Sequence, residues 1–178
     1  MSAPRLPKNG ARGLRATVLA AAFAARAWAG ESATIRAADA GLPPDFCPTL
    51  RTLVAAAPSG FVSLRGALEP GAENVRKGTK RVPGALACSV FGGTPPAYAC
   101  TLYAGDVEDN ADATYERVVR GVTDCLPAGW KTTEKVDGVH ARTAICARGT
   151  GPTVRVVARD ASADAYDLVE LWVDAVAR

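Results

Sequence analysis

Any chemistry in this chain would have to start from five cysteines and one histidine. Cys47, Cys88, Cys100, Cys125 and Cys146 are its thiols, and His140 is its sole imidazole. The nucleophilic arrangement these residues permit is an unpaired cysteine activated by His140. A serine mechanism would need the same histidine, and no Gly-x-Ser-x-Gly elbow occurs. His140, between Val139 and Ala141 before an apolar stretch, reads more simply as a satisfied or surface histidine. No catalytic residue is therefore assigned.

Metal and cofactor motifs fail on spacing. There is no Cys-x-x-Cys and no Cys/His cluster at zinc-ligand intervals. Asp106, Glu108, Asn110 and Asp112 imitate half a calcium loop. Ala111 and Arg117 stand where that loop needs glycine and glutamate, so helix capping explains the acids better. Gly92-Gly93 and Gly149-Thr150-Gly151 match no phosphate-binding fingerprint and sit where turns are needed. No cofactor and no metal are expected. Trp130 and Trp172 read as core residues.

Arg76, Lys77, Lys80 and Arg81 form a basic segment around Gly78, inside a stretch read as a loop over residues 69–83. It is a candidate partner-binding loop. Four charges without interleaved aromatics make a poor nucleic-acid signal, and a solvated loop has the same composition.

The compartment follows from the first 29 residues. Arg5, Lys8, Arg12 and Arg15 precede an apolar run over residues 16–25, and Ala27-Trp28-Ala29 supplies a small-residue cleavage pattern. Residues 1–29 read as a signal peptide, although an organellar transit peptide shares the Arg-rich, acid-free composition. The run is too short to span a hydrocarbon core of about 30 Å, so no membrane association is expected after cleavage. Cleavage removes five basic residues and no acids, leaving sixteen basic against eighteen acidic side chains, a net charge of −2. The pI of 8.7 therefore belongs largely to the signal, and a nucleic-acid partner loses its electrostatic support. A periplasmic or extracellular location is expected.

In such a compartment thiols pair. Residues 85–91 and 98–104 read as two strands joined by a turn. Alternation places Cys88 and Cys100 opposite one another on the buried face, where a disulfide can form. Cys125, ending a helix, and Cys146, in the following strand, form the natural second pair, leaving Cys47 as an unpaired, buried thiol. Connectivity is not determined by sequence, and other pairings stay open.

The elements that would hold these residues follow from periodicity. Residues 30–44 read as a flexible leader and 45–178 as one α+β domain. Helices are expected over 46–57 and 111–126, the second capped by Asp109 or Asn110. Short strands are expected at 61–65, 139–148, 153–159 and 168–176, besides the hairpin. Phe46, Leu50, Leu53 and Pro58-Ser59-Gly60-Phe61 recur 69 residues later as Tyr115, Val119, Val122 and Pro127-Ala128-Gly129-Trp130. That echo suggests duplication of a helix followed by three strands. The expected architecture is a two-layer sandwich, an antiparallel sheet with two helices on one face. In element order it resembles the small α+β folds of type III secretion chaperones. Those proteins lack signal peptides, so the resemblance implies a fold and only secondarily a secretion or assembly chaperone. The favoured function is a non-enzymatic exported module that binds another protein. A thiol-dependent enzyme using an unpaired cysteine with His140 is the alternative.

Overall fold

Apolar residues at helical spacing produce two helices. The computed structural model describes residues 41–106, 108–137, 141–159 and 167–176. In α1 (Phe46–Ala56), Phe46, Leu50 and Leu53 lie on one stripe and are almost wholly buried. In α2 (Glu108–Cys125), Ala111, Tyr115, Val118, Val122 and Cys125 do the same. Each fully buried large side chain contributes about 1.5–3 kcal/mol. The start of α2 lies earlier than the sequence suggested, so that Asp109 and Asn110 fall inside the helix.

The end of α1 is set by backbone geometry. A 3-10 turn over Ala57–Ser59 leads into Gly60, whose φ of 66° is left-handed and whose N–H bonds the Ala57 carbonyl. Phe61 follows with a left-handed φ of 61°. For a residue with a Cβ that conformation costs about 1–2 kcal/mol. Burial of the Phe61 ring against Tyr98, centroids 5.7 Å apart, offsets it. The strand expected at 61–65 is therefore a second 3-10 turn, Val62–Leu64, and the strand begins only at Arg65.

Four strands follow each helix among the described residues, where three were expected. After α1 come β1 (Arg65–Leu68), β2 (Val75–Gly78), β3 (Ala87–Phe91) and β4 (Ala97–Gly105). After α2 come β5 (Lys131–Asp137), β6 (Ala141–Ala147), β7 (Thr153–Arg159) and β8 (Asp167–Asp174). All pair antiparallel in one sheet, in the order β1-β2-β3-β4-β8-β7-β6-β5. β4 and β8, the last strands after the two helices, thus pair at the centre of the sheet. The chain is a mixed α+β protein.

Register sorts the side chains by face. Partners across the sheet run Arg76, Val90, Tyr98, Val173, Val154, Cys146, Thr132 in one row and Cys88, Cys100, Leu171, Val156, Ala144, Glu134 in the next. Their apolar members are buried and form the core with α1 and α2. Helix α2 packs on β4, β7 and β8 and also touches α1. The alternate residues, among them Lys77, Phe91, Trp172 and Arg155, point to the opposite face. No helix among the described residues is long and apolar enough to cross a membrane.

Candidate functional site

The cysteines test the chemistry first. Cys88 and Cys100 are register partners on β3 and β4, with Cα atoms 4.1 Å apart, and they form a disulfide. The second pair differs from the expected one: Cys47 joins Cys125, and Cys146 is the free thiol. The reason is layering. Cys47 is in the first turn of α1 and Cys125 ends α2, so their link ties helix to helix. Arg51 of α1 reinforces the same junction, its Nε donating to the Cys125 carbonyl over 2.9 Å. That cation neutralises an otherwise unpaired acceptor at the helix C-terminus. Cys146 belongs to the sheet, separated in sequence from α2 by β5, which the pattern did not reveal. Its sulfur lies 3.3 Å from Thr132 Oγ1 on that strand.

A thiol mechanism would therefore have to use Cys146. It is 1% exposed and belongs to the same buried core as Tyr115 and Val122. A reactive cysteine needs access to solvent and substrate. Cys47, the thiol assigned as unpaired from sequence, is oxidised. His140 lies outside the described residues.

Tyr115 is the unusual neighbour. Its ring carries the Arg142 guanidinium at 4.2 Å, and Arg142 also bonds Asp112 and Glu116 on α2. The Tyr115 hydroxyl is buried without a hydrogen-bond partner. Burial, helped by the nearby Glu134 charge, pushes its pKa up to about 12, against the opposing pull of Arg142. Asp112, one of the calcium-loop mimics, thus serves an ion pair with Arg142. Among the described residues no three His, Cys, Asp or Glu side chains gather as a metal site.

The basic segment is not the loop that was expected. Arg76 and Lys77 lie on β2, pointing to opposite faces, because β2 is a strand paired between β1 and β3. Lys80 and Arg81 follow in a bend that is anchored. Tyr98 Oη donates to the Lys80 carbonyl over 2.7 Å and accepts from the Lys80 N–H over 3.2 Å. Gly78 permits that clamp, since a Cβ there would collide with Tyr98 Oη. Desolvation raises the Tyr98 pKa, and its bond to the Lys80 backbone partly counters this.

Arg65 joins these cations and was not singled out from sequence. It lines a cavity of about 230 Å³ together with Arg76, Glu73, Asn74, Val90 and Gly92. The signal that could have found it is the cross-strand pairing of Arg65 with Gly78, invisible while residues 69–83 read as a loop. All five cations have exposed or half-exposed side chains. Among the described residues none forms an ion pair.

The opposite face of the sheet carries a self-satisfied cluster. Phe91 and Trp172 stack at 5.1 Å over the small Ala97 and Ala99 of β4. Arg155 lies 5.2 Å from the Trp172 ring and grips Asp174 with two bonds of 2.6 and 2.8 Å. Those bonds raise the Arg155 pKa, against its partial burial. Trp172 is half-buried in this cluster and does not belong to the buried core, which Trp130 borders. With its polar groups paired among themselves, the cluster stabilises the sheet and offers few free donors.

No protein-family model, no curated protein and no solved structure matches this chain.

Proposed function

We propose that this chain is an exported, disulfide-stabilised binding module without catalytic activity, whose partner is another protein. Export rests on the signal-like residues 1–29 and on two disulfides, which persist in oxidising compartments. The periplasm or cell exterior is its place of action, with neither nucleic acid nor membrane as partner. The recurrence of Phe46, Leu50 and Leu53 as Tyr115, Val119 and Val122, each helix being followed by four strands among the described residues, supports an internal duplication.

The observation that carries the binding function is charge segregation on a rigid frame. Residues 65–81 hold five basic and two acidic side chains, a net of +3. The rest of the chain after residue 29 holds eleven basic and sixteen acidic, a net of −5. Cations grouped at one end of an acidic molecule steer an oppositely charged partner and fix its orientation. The thiol-enzyme alternative is weakened by the burial of Cys146, and the chaperone alternative would require pairing through a sheet edge. A photoreactive benzoylphenylalanine in place of Arg81, installed in the exporting cells, tests the reading. A discrete protein adduct is expected there, and none from the same group in place of Lys135 on β5 at the other edge. Equal labelling from both positions, or from neither, would reject it.

A further inference from the structure

Arg65 and Arg76 converge on one cleft at the β1 end of the sheet, the cavity of about 230 Å³ that Glu73, Asn74, Val90 and Gly92 complete. Each guanidinium is held in place by a backbone carbonyl. Arg65 Nη2 donates to Gly60 O over 2.9 Å, and Arg76 Nη1 to Gly66 O over 3.3 Å. A guanidinium has five N–H donors in a planar fork, so most of each fork stays available. No carboxylate of the described residues pairs with either one, Glu73 included. Two arginines on the wall of one cavity, neither with a counter-anion, make that cavity attractive to an oxyanion.

We propose that this cleft binds carboxylate side chains of an acidic segment of the partner protein. The inference rests on the binding-module reading and deepens it. Two features favour carboxylates over phosphates. Glu73 on the cleft wall opposes the near-double charge of a phosphomonoester more than the single charge of a carboxylate. No aromatic side chain lines the cleft to stack a base. Lys80 and Arg81 add positive charge beyond the end of β2, where further acids of the same segment meet it.

The test uses the mature protein and fluorescein-labelled decaglutamate, read by fluorescence anisotropy at low salt. Charge-assisted bonds of this kind make the expected loss at least about tenfold in affinity for Arg65→Gln/Arg76→Gln. Lys131→Gln/Lys135→Gln removes the same charge from β5 at the opposite edge and is expected to stay within about twofold, since distant exposed charges are screened. Arg65→Lys/Arg76→Lys keeps the charge and loses the fork. It is expected to weaken binding as well, which keeps the test readable if the glutamine pair does not fold. Equal losses from the two glutamine pairs, no peptide binding by the wild type, or tighter binding of a thymidine decanucleotide would each overturn the proposal. Such a failure alongside a discrete adduct from position 81 removes the carboxylate assignment alone. Loss of that adduct removes the binding module itself.

Discussion

Tyr98 and Tyr115 are both buried phenols, and only one of them has partners. Tyr98 Oη holds the Lys80 backbone by two bonds, whereas the Tyr115 hydroxyl has none. Deleting a partnered hydroxyl leaves its partners unsatisfied, while deleting an orphan removes a desolvation cost. Tyr98→Phe is therefore expected to cost about 1–3 kcal/mol, and Tyr115→Phe to be neutral or to stabilise by up to about 1 kcal/mol. Urea midpoints at neutral pH would decide it, and a loss in Tyr115→Phe would mean a hidden partner. The pH dependence follows from the same burial. The folded pKa of Tyr115 is raised from 10.0 to about 12, so its contribution is intact below pH 10 and is lost as pH climbs towards 12. Tyr115→Phe should flatten that alkaline decline. At this scale the sequence was legible where period-2 or helical spacing applied. Tyr115 read as a core residue, and Cys88 fell opposite Cys100. A hydroxyl clamp such as Tyr98 on Lys80 depends on contacts across a turn and leaves no local pattern.

Among the elements, the two helices and the central hairpin were readable because their apolar residues repeat at one period. β2 and β5 were not. Val75-Arg76-Lys77-Gly78 has a single apolar side chain, and β5, Lys131-Thr-Thr-Glu-Lys-Val-Asp137, lies at the sheet edge with its described side chains exposed. An edge strand needs no apolar stripe and is commonly guarded by charge, so periodicity cannot reveal it. Missing β5 also misassigned the second disulfide, since it placed Cys146 directly after α2. The pairing found has an energetic consequence. Cys47 and Cys125 are 78 residues apart, Cys88 and Cys100 only 12. Loop-closure entropy gives about 4.5 kcal/mol for the first link and about 3 kcal/mol for the second. Cys47→Ala/Cys125→Ala is thus expected to lower the melting temperature by more than Cys88→Ala/Cys100→Ala. The reverse order, in calorimetry of the two variants, would show that the hairpin link restrains the fold more than the helix-to-helix link.

For the whole molecule, the decisive sequence signal was an arithmetic one. The first 29 residues hold five basic side chains and no acids, so removal of a signal there would turn a basic chain into an acidic one, and five of the sixteen basic residues that follow lie between residues 65 and 81. The sequence placed Arg76, Lys77, Lys80 and Arg81 in that segment but could not join Arg65 to them, because a strand pairing builds the cleft. Export and the cysteine pairing together make a single measurable statement. A chain cleaved after Ala29 begins at Gly30, carries two disulfides, and keeps one thiol, Cys146, inside its core. Alkylation of the native exported protein should therefore add no mass. Alkylation after denaturation without reduction should add one label, and with reduction five. Intact mass spectrometry reads all three states. One label already present on the native protein would mean an accessible Cys146 and would restore the thiol-enzyme reading. An uncleaved chain, or three or more labels before reduction, would take away the oxidising compartment on which the binding module depends.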